Sequence, residues 1–230
     1  MNTPEYAPVL AQFAPDVPIE SWQPLGKGMI HRSFLVRGGG QAWVLQSMNT
    51  VVFSKPELVM DNLLRVQAHL KKSDYPYRIA EPIQTQAGGF LYRAPDGQIW
   101  RAFPYFPDTY APEGSPDPEE AYWAARAYGD FLGALRDFPA DSLPETIPGF
   151  HDTLRRQAYY EHVRTQADPA RRRQAGRTAD ALADFFPLFR EVHALKASGQ
   201  LPRRVTHNDT KAGNVLLDTR TRRPIAVIDL

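Results

Sequence analysis

The sequence predicts an α+β fold (α/β in the broad sense) in two lobes: a small antiparallel sheet with one packed helix, then a mainly helical lobe. Three observations predict it. Short apolar runs punctuated by glycine fill the stretch from Trp22 to Phe103. Pro104 and Pro107 then stiffen a short connection. From Asp117 onward, helix-start signals and 3–4 apolar spacing replace the alternation. The expected division is 1–107 for the sheet lobe, ending at a hinge, and 108–230 for the helical lobe.

Thr3-Pro4-Glu5 places a cap, a first-turn proline and an acid at the head of a short helix reaching about Phe13. Trp22 to Leu25, His31 to Arg37 and Ala42 to Gln46 are three strands, joined through Gly26-Lys27-Gly28 and Gly38-Gly39-Gly40. Ser54-Lys55-Pro56-Glu57 has the pattern of a capping box. The helix after it aligns Val59, Leu63, Val66 and Leu70 on one face. Phe90 to Arg93 and Gln98 to Phe103 return the chain to the sheet. Asp117-Pro118-Glu119-Glu120 opens a long helix, with Ala121, Ala124, Ala125, Tyr128, Phe131, Leu132 and Leu135 as its apolar stripe. Asp152 to about Arg164 forms another. Asp168-Pro169 opens a third, which Pro187 should kink or divide and Gly199 should end. Strands over Val215 to Leu217 and Ile225 to Ile228 close the order.

Composition excludes several classes of function. None of the 230 residues is cysteine, which removes disulfides, thiolate zinc sites and thiol nucleophiles. A net charge of +1 neither requires nor forbids a polyanion. The arginines at 155, 156, 164, 171, 172, 173 and 177 lack interleaved aromatics, so a solvated helical face is expected and no nucleic-acid partner. No run approaches the roughly 18 apolar residues of a membrane span, and Met1 to Glu5 has no basic leader pattern. A soluble, cytoplasmic protein without a membrane partner is the expectation.

The chemistry concentrates in His207-Asn208-Asp209-Thr210-Lys211-Ala212-Gly213-Asn214, followed by an apolar strand, a turn and Val227-Ile228-Asp229. Moving a phosphoryl group from ATP to a hydroxyl needs a carboxylate to hold and deprotonate the acceptor, cations to neutralise charge, and positioning. Asp209 is the candidate base and Lys211 a mobile cation for the transferring phosphate. Asn214 offers a neutral oxygen and Asp229 a charged one, a pair suited to Mg2+ bridging nucleotide phosphates. His207 is expected to hold the loop. On the nucleotide side, Gly26 and Gly28 form a candidate lid over phosphates or a simple hairpin turn. Tyr105 and Phe106 flank an adenine or simply pack at the hinge.

These segments resemble the aminoglycoside/choline-kinase-type small-molecule phosphotransferases, most closely the N-acetylhexosamine 1-kinase branch. The resemblance rests on Val44-Leu45-Gln46-Ser47-Met48-Asn49 with Val52-Phe53 and Pro56-Glu57, on Trp100-Arg101, and on Ile147 to Thr153. It continues through Thr206 to Lys211 and Asn214 to Asp218 and closes at Val227 to Leu230. It implies a protein-kinase-like fold, ATP as co-substrate, a sugar or amino-alcohol acceptor, Asp209 as base, and Asn214 and Asp229 as magnesium ligands. It also makes His151 and Asp152 a sugar contact, although an ordinary helix N-cap explains them equally well. Two departures stand out. Gln46 occupies the third-strand position where such kinases often carry a phosphate-binding lysine, which leaves Lys27 or Lys211 to supply charge. Members of the family continue with further helices after the Ile-Asp, so an incomplete helical lobe is expected. A non-catalytic nucleotide-binding or interaction module of the same fold is the second reading.

Overall fold

The computed structural model describes residues 7–26 and 30–230. The helix start at Thr3-Pro4-Glu5, Lys27 and Gly28 lie outside the described residues. The chain forms two compact units. One runs through Thr146 and resumes over Arg204–Leu230, and the other is Ile147–Arg203.

In the first unit, helix α1 (Ala7–Phe13) precedes strands β1 (Ile19–Pro24), β2 (Arg32–Gly38) and β3 (Gln41–Met48). Helix α2 (Pro56–Leu70) follows, then β4 (Tyr92–Arg93) and β5 (Ile99–Pro104). The five strands make one antiparallel sheet in the order β1-β2-β3-β5-β4. Gly39 and Gly40 turn β2 into β3 with φ of 55° and 72°. A two-residue hairpin needs that left-handed backbone at both positions, and glycine supplies it without a steric penalty.

Strand pairing fixes the two faces. Val36, Trp43, Leu45, Trp100 and Ala102 face one way and share a core with Val9, Leu10 and Phe13 of α1. Met48 and Ile99 face the other way and meet Val59 of α2. Gln46 and Arg101, paired across β3 and β5, lie on that second face. The start of α2 differs from expectation. Its N-cap is Lys55, which makes no side-chain capping bond, so Ser54 and Glu57 form no capping box. The fixed φ of Pro56 and the acid of Glu57 in the first turn serve the start instead.

Helix α3 (Pro118–Ala134) starts where the sequence places it, and its cap is reciprocal. Asp117 accepts from the backbone N–H groups of Glu119 and Glu120, and the Glu120 carboxylate accepts from that of Asp117. Arg222 adds ion pairs to Asp117, Glu119 and Glu120. Val66 and Leu70 of α2 pack with Phe131 and Leu135, which ties the helix beneath the large sheet to α3.

A second sheet joins β6 (Thr109–Tyr110), β7 (Val215–Asp218) and β8 (Pro224–Val227) in that order. Its first strand was not anticipated, because two residues carry no periodicity. Val215, Leu217 and Val227 pack on Ala124, Ala127 and Tyr128. Strand β8 ends one residue earlier than expected. The Ile228 N–H leaves the ladder and donates to the Asn214 carbonyl at 2.9 Å.

The second unit contains α4 (Thr153–Gln166), α5 (Pro169–Ala183) and α6 (Phe186–Ala197). The helix expected after Asp168 is divided. α5 stops at Ala183, and Pro187 sits in the first turn of α6, where its missing N–H costs nothing. Gly199, at φ 74°, follows the end of α6. The arginines at 155, 156, 164, 171, 172, 173 and 177 are all exposed. Among the described residues, no helix is long and apolar enough to cross a membrane.

Candidate active site

The loop from Thr206 to Asn214 lies between α3 and β7. Its anchor is His207, 9% exposed, whose ring is clamped edge-on by Tyr128 and Phe131. Nε2 of His207 donates to the Ile228 carbonyl at 2.8 Å, while Nδ1 accepts the Asp209 N–H at 3.3 Å. These two partners select the neutral imidazole with its proton on Nε2. Asn208 takes φ 67°, a left-handed turn that asparagine tolerates better than most residues. The turn presents Asp209 at the surface.

Two side chains converge on Asp209. Lys211 Nζ donates to its Oδ2 at 2.8 Å. Asn214 Nδ2 donates to the same oxygen at 3.0 Å and to the Asp209 carbonyl at 2.9 Å. The Lys211 hydrogen bond, and after it that of Asn214, hold the Asp209 carboxyl below the usual carboxylate range against the opposing effect of burial. Asp209 is therefore ionised at neutral pH. From α3, Tyr128 donates to the Lys211 carbonyl at 2.8 Å and braces the far side of the loop.

Asp229 joins this group through the backbone. The bond from Ile228 N–H to the Asn214 carbonyl sets Asp229 one residue past the contact between β8 and the loop. Its φ is 66° and its side chain is exposed. Burial raises the Tyr128 phenol pKa, and the charges of Asp209 and then Asp229 push it further. Both carboxylates thus act on one ring. Asp229 also acts on His31 and Arg101 of the large sheet's side of the unit. Asp209, Lys211 and Asn214 are thus joined by hydrogen bonds, and the backbone of Ile228, one residue before Asp229, is tied to the same loop.

Gly26, at φ 72°, leads out of β1, and Gly28 lies outside the described residues. Gln46 lies at the centre of the large sheet. It donates to Ser33 Oγ at 3.0 Å and accepts from Arg101 Nε at 2.8 Å. Tyr105 donates its backbone N–H to the Ala42 carbonyl and has Arg37 over its ring. Phe106 is buried beneath Arg78. His151 and Asp152 belong to the second unit. There Asp152 caps α4 by accepting the Arg155 N–H at 2.9 Å and stands 3.6 Å from His193.

Two residues that sequence reasoning left without a role lie beside Asp229 electrostatically. Arg101 is one, a charge in the otherwise apolar run Ile99-Trp100-Arg101-Ala102-Phe103 that could have drawn attention by its isolation. His31 is the other, and nothing in its surroundings along the chain singles it out. Its Nδ1 accepts the Asn49 N–H at 3.1 Å, and its ring stacks on Phe53. Burial first, then the charge of Arg101, lower its pKa from the ordinary 6.5 to about 4, with Asp229 pulling the other way. Between those values the unfolded chain binds a proton that the folded protein refuses, so stability rises with pH across that window. The urea midpoint is expected to fall as pH drops from 6.5 to 4. His31→Gln, which keeps an acceptor for Asn49, should flatten that slope. An unaltered slope in the variant would reassign the effect to another group.

The phosphotransferase enzyme family (APH) matches residues 21–230. Among solved structures, an aminoglycoside phosphotransferase from Alicyclobacillus acidocaldarius superposes with a TM-score of 0.54 at 15% identity, over 96% of this chain and 64% of that one. Aminoglycoside phosphotransferase APH(4)-Ia gives 0.56 at 16%, over 92% and 66%. Spectinomycin phosphotransferase APH(9)-Ia, in complex with ADP and spectinomycin, gives 0.50 at 17%, over 96% and 66%. The fold is shared, and this chain spans about two-thirds of the length of each.

Proposed function

The chain belongs to the phosphotransferase enzyme family, and on that premise we propose that it transfers the γ-phosphoryl group of ATP to a hydroxyl of a small molecule. The acceptor we propose is a sugar, through the anomeric hydroxyl of an N-acetylhexosamine-type substrate. One observation carries the transfer: an ionised Asp209 held on its Oδ2 by Lys211 and Asn214, in a loop hung on His207. The sugar assignment draws on the resemblance of Ile147 to Thr153 and Val44 to Asn49 to the N-acetylhexosamine branch.

Asp209 orients the acceptor O–H and takes its proton as the oxygen bonds to the γ-phosphorus and the bond from phosphorus to the β–γ bridging oxygen breaks, releasing ADP. Lys211, already within hydrogen-bond reach of Asp209, follows the charge onto the phosphate. Its departure frees the carboxylate oxygen for the acceptor. Asn214 and Asp229 fit magnesium. Nδ2 of Asn214 is engaged by Asp209, which leaves its amide oxygen as the free end, and Asp229 adds an exposed carboxylate, so the pair offers hard oxygens only. Bound there, the metal would neutralise phosphate charge. His207 contributes no proton; both its nitrogens are committed to main-chain groups.

Coupled ADP release, measured over a panel of N-acetylhexosamines, hexoses, choline and aminoglycosides, tests both levels. Stimulation by the N-acetylhexosamines above all others is the expected result. Stimulation by an amine alone would overturn the sugar assignment. ATP that neither binds in the presence of magnesium nor turns over with any acceptor would overturn the transfer itself.

A further inference from the structure

Gln46 carries no charge, yet the large sheet buries one beside it. Arg101 on β5 is the direct cross-strand partner of Gln46 and is only 3% exposed. Nε donates to Gln46 Oε1 at 2.8 Å, and the next donor along, Nη1, lies 3.7 Å from the Met60 sulfur of α2. Gln46 in turn donates to Ser33 on β2, so three strands contribute one aligned polar row, Ser33–Gln46–Arg101. The guanidinium also lies over the Phe103 ring at 5.0 Å. Among the described residues, no carboxylate comes within ion-pair distance of Arg101, and Asp229 acts on it only as a more distant charge.

A buried guanidinium without an anion is costly, and such groups normally neutralise or find a partner. Burial does weaken this one, lowering its pKa to about 10, and it remains charged at neutral pH. The one opposing influence is Asp229, whose charge raises it. The sulfur of Met60 supplies no charge. Helix and sheet therefore hold a cation in place and leave its counter-charge to something that arrives near Asp229.

We propose that Arg101 is the phosphate-binding cation of this chain, taking over from the adjacent strand the charge that Gln46 cannot supply, with Gln46 and Met60 orienting its guanidinium. The proposal rests on the nucleotide-binding reading above. Lys211 is a poorer candidate for the resting site because its ammonium is already spent on Asp209. Arginine also suits the role chemically. Its planar fork can keep Nε on Gln46 while the terminal nitrogens grip two phosphate oxygens, which a lysine could not do from this position.

The test uses calorimetric titration with ATP and, separately, adenosine, on the wild-type chain, Arg101→Met and Arg101→Lys, with thermal melts of each. Methionine keeps the volume and removes the charge. Arg101→Met is expected to bind ATP roughly 10- to 100-fold more weakly and adenosine unchanged. Arg101→Lys should recover part of the loss, and Gln46→Lys added to Arg101→Met should recover more by restoring a cation one strand away. ATP affinity undiminished in Arg101→Met, or adenosine and ATP weakened alike in a variant that melts normally, would overturn the role of Arg101. If Arg101→Met fails to fold, Arg101→Lys decides: parity with Arg101-containing chain on adenosine and a several-fold deficit on ATP supports it, and equal deficits on both overturn it. Wild-type protein that binds no ATP would instead bring down the nucleotide reading from which the proposal starts.

Discussion

Replacing Asp209 with asparagine is expected to lower kcat by roughly 10²- to 10⁴-fold, the usual worth of a positioned general base, while ATP affinity stays within about threefold and the unfolding midpoint does not move. The substitution is a clean probe because the loop survives it. An asparagine oxygen can still accept from Lys211 Nζ and Asn214 Nδ2, the two donors that hold Oδ2. His207 grips the backbone N–H of residue 209, not its side chain. The capacity to take a proton is lost together with the negative charge, while the hydrogen bonds that hold the loop keep an acceptor. Single-turnover phosphoryl transfer with radiolabelled ATP, beside equilibrium binding of ATP, separates the two quantities. Parallel loss of affinity and turnover would assign Asp209 to nucleotide binding and leave the base unidentified.

Asp229→Ala is expected to have the opposite profile. Turnover should fall by at least about 10²-fold, and the enhancement of ATP affinity by magnesium should disappear, so that titrations with and without EDTA converge. Asp229 offers an exposed carboxylate, and removing it leaves the proposed site with only the neutral amide oxygen of Asn214, which holds a hard dication poorly. A second effect follows from position. Asp229 is the charge that supports the Arg101 guanidinium and opposes the lowering of the His31 pKa. Its loss should make His31 still harder to protonate, and the imidazole NMR titration of His31 is expected to move to lower pH. Retained magnesium dependence in this variant would exclude Asp229 from the metal site. An unmoved His31 titration would show the field between them to be negligible.

Much of this arrangement was legible along the chain because it is local. Asp209, Lys211 and Asn214 meet within one turn of backbone, and their spacing alone sets that encounter. The helix start at Asp117-Pro118 was equally readable, since a cap and a first-turn proline are adjacent in the chain. Ser54 with Glu57 has a capping-box pattern and forms no box, because the N-cap position falls on Lys55, one residue past the serine. Arg101 was illegible for a different reason. Its meaning lies in its pairing with Gln46, and the two are brought side by side by antiparallel register, which no periodicity of either strand encodes. His31 was hidden likewise: its low pKa comes from burial and from Arg101, a residue far along the chain. Strand β6, two residues long, exists only because β7 is there to pair with it.

Ile228 carries a further implication. Its carbonyl accepts a hydrogen bond from His207 Nε2 and its N–H donates to the Asn214 carbonyl, so a single peptide unit on each side stitches the acid-bearing turn to the segment that follows β8 and carries Asp229. Both stitches are main-chain at this residue. The identity of the side chain there should therefore be open to drift, and redesign aimed at new acceptors could vary position 228 freely among residues of similar backbone preference without disturbing the spacing between the two carboxylates.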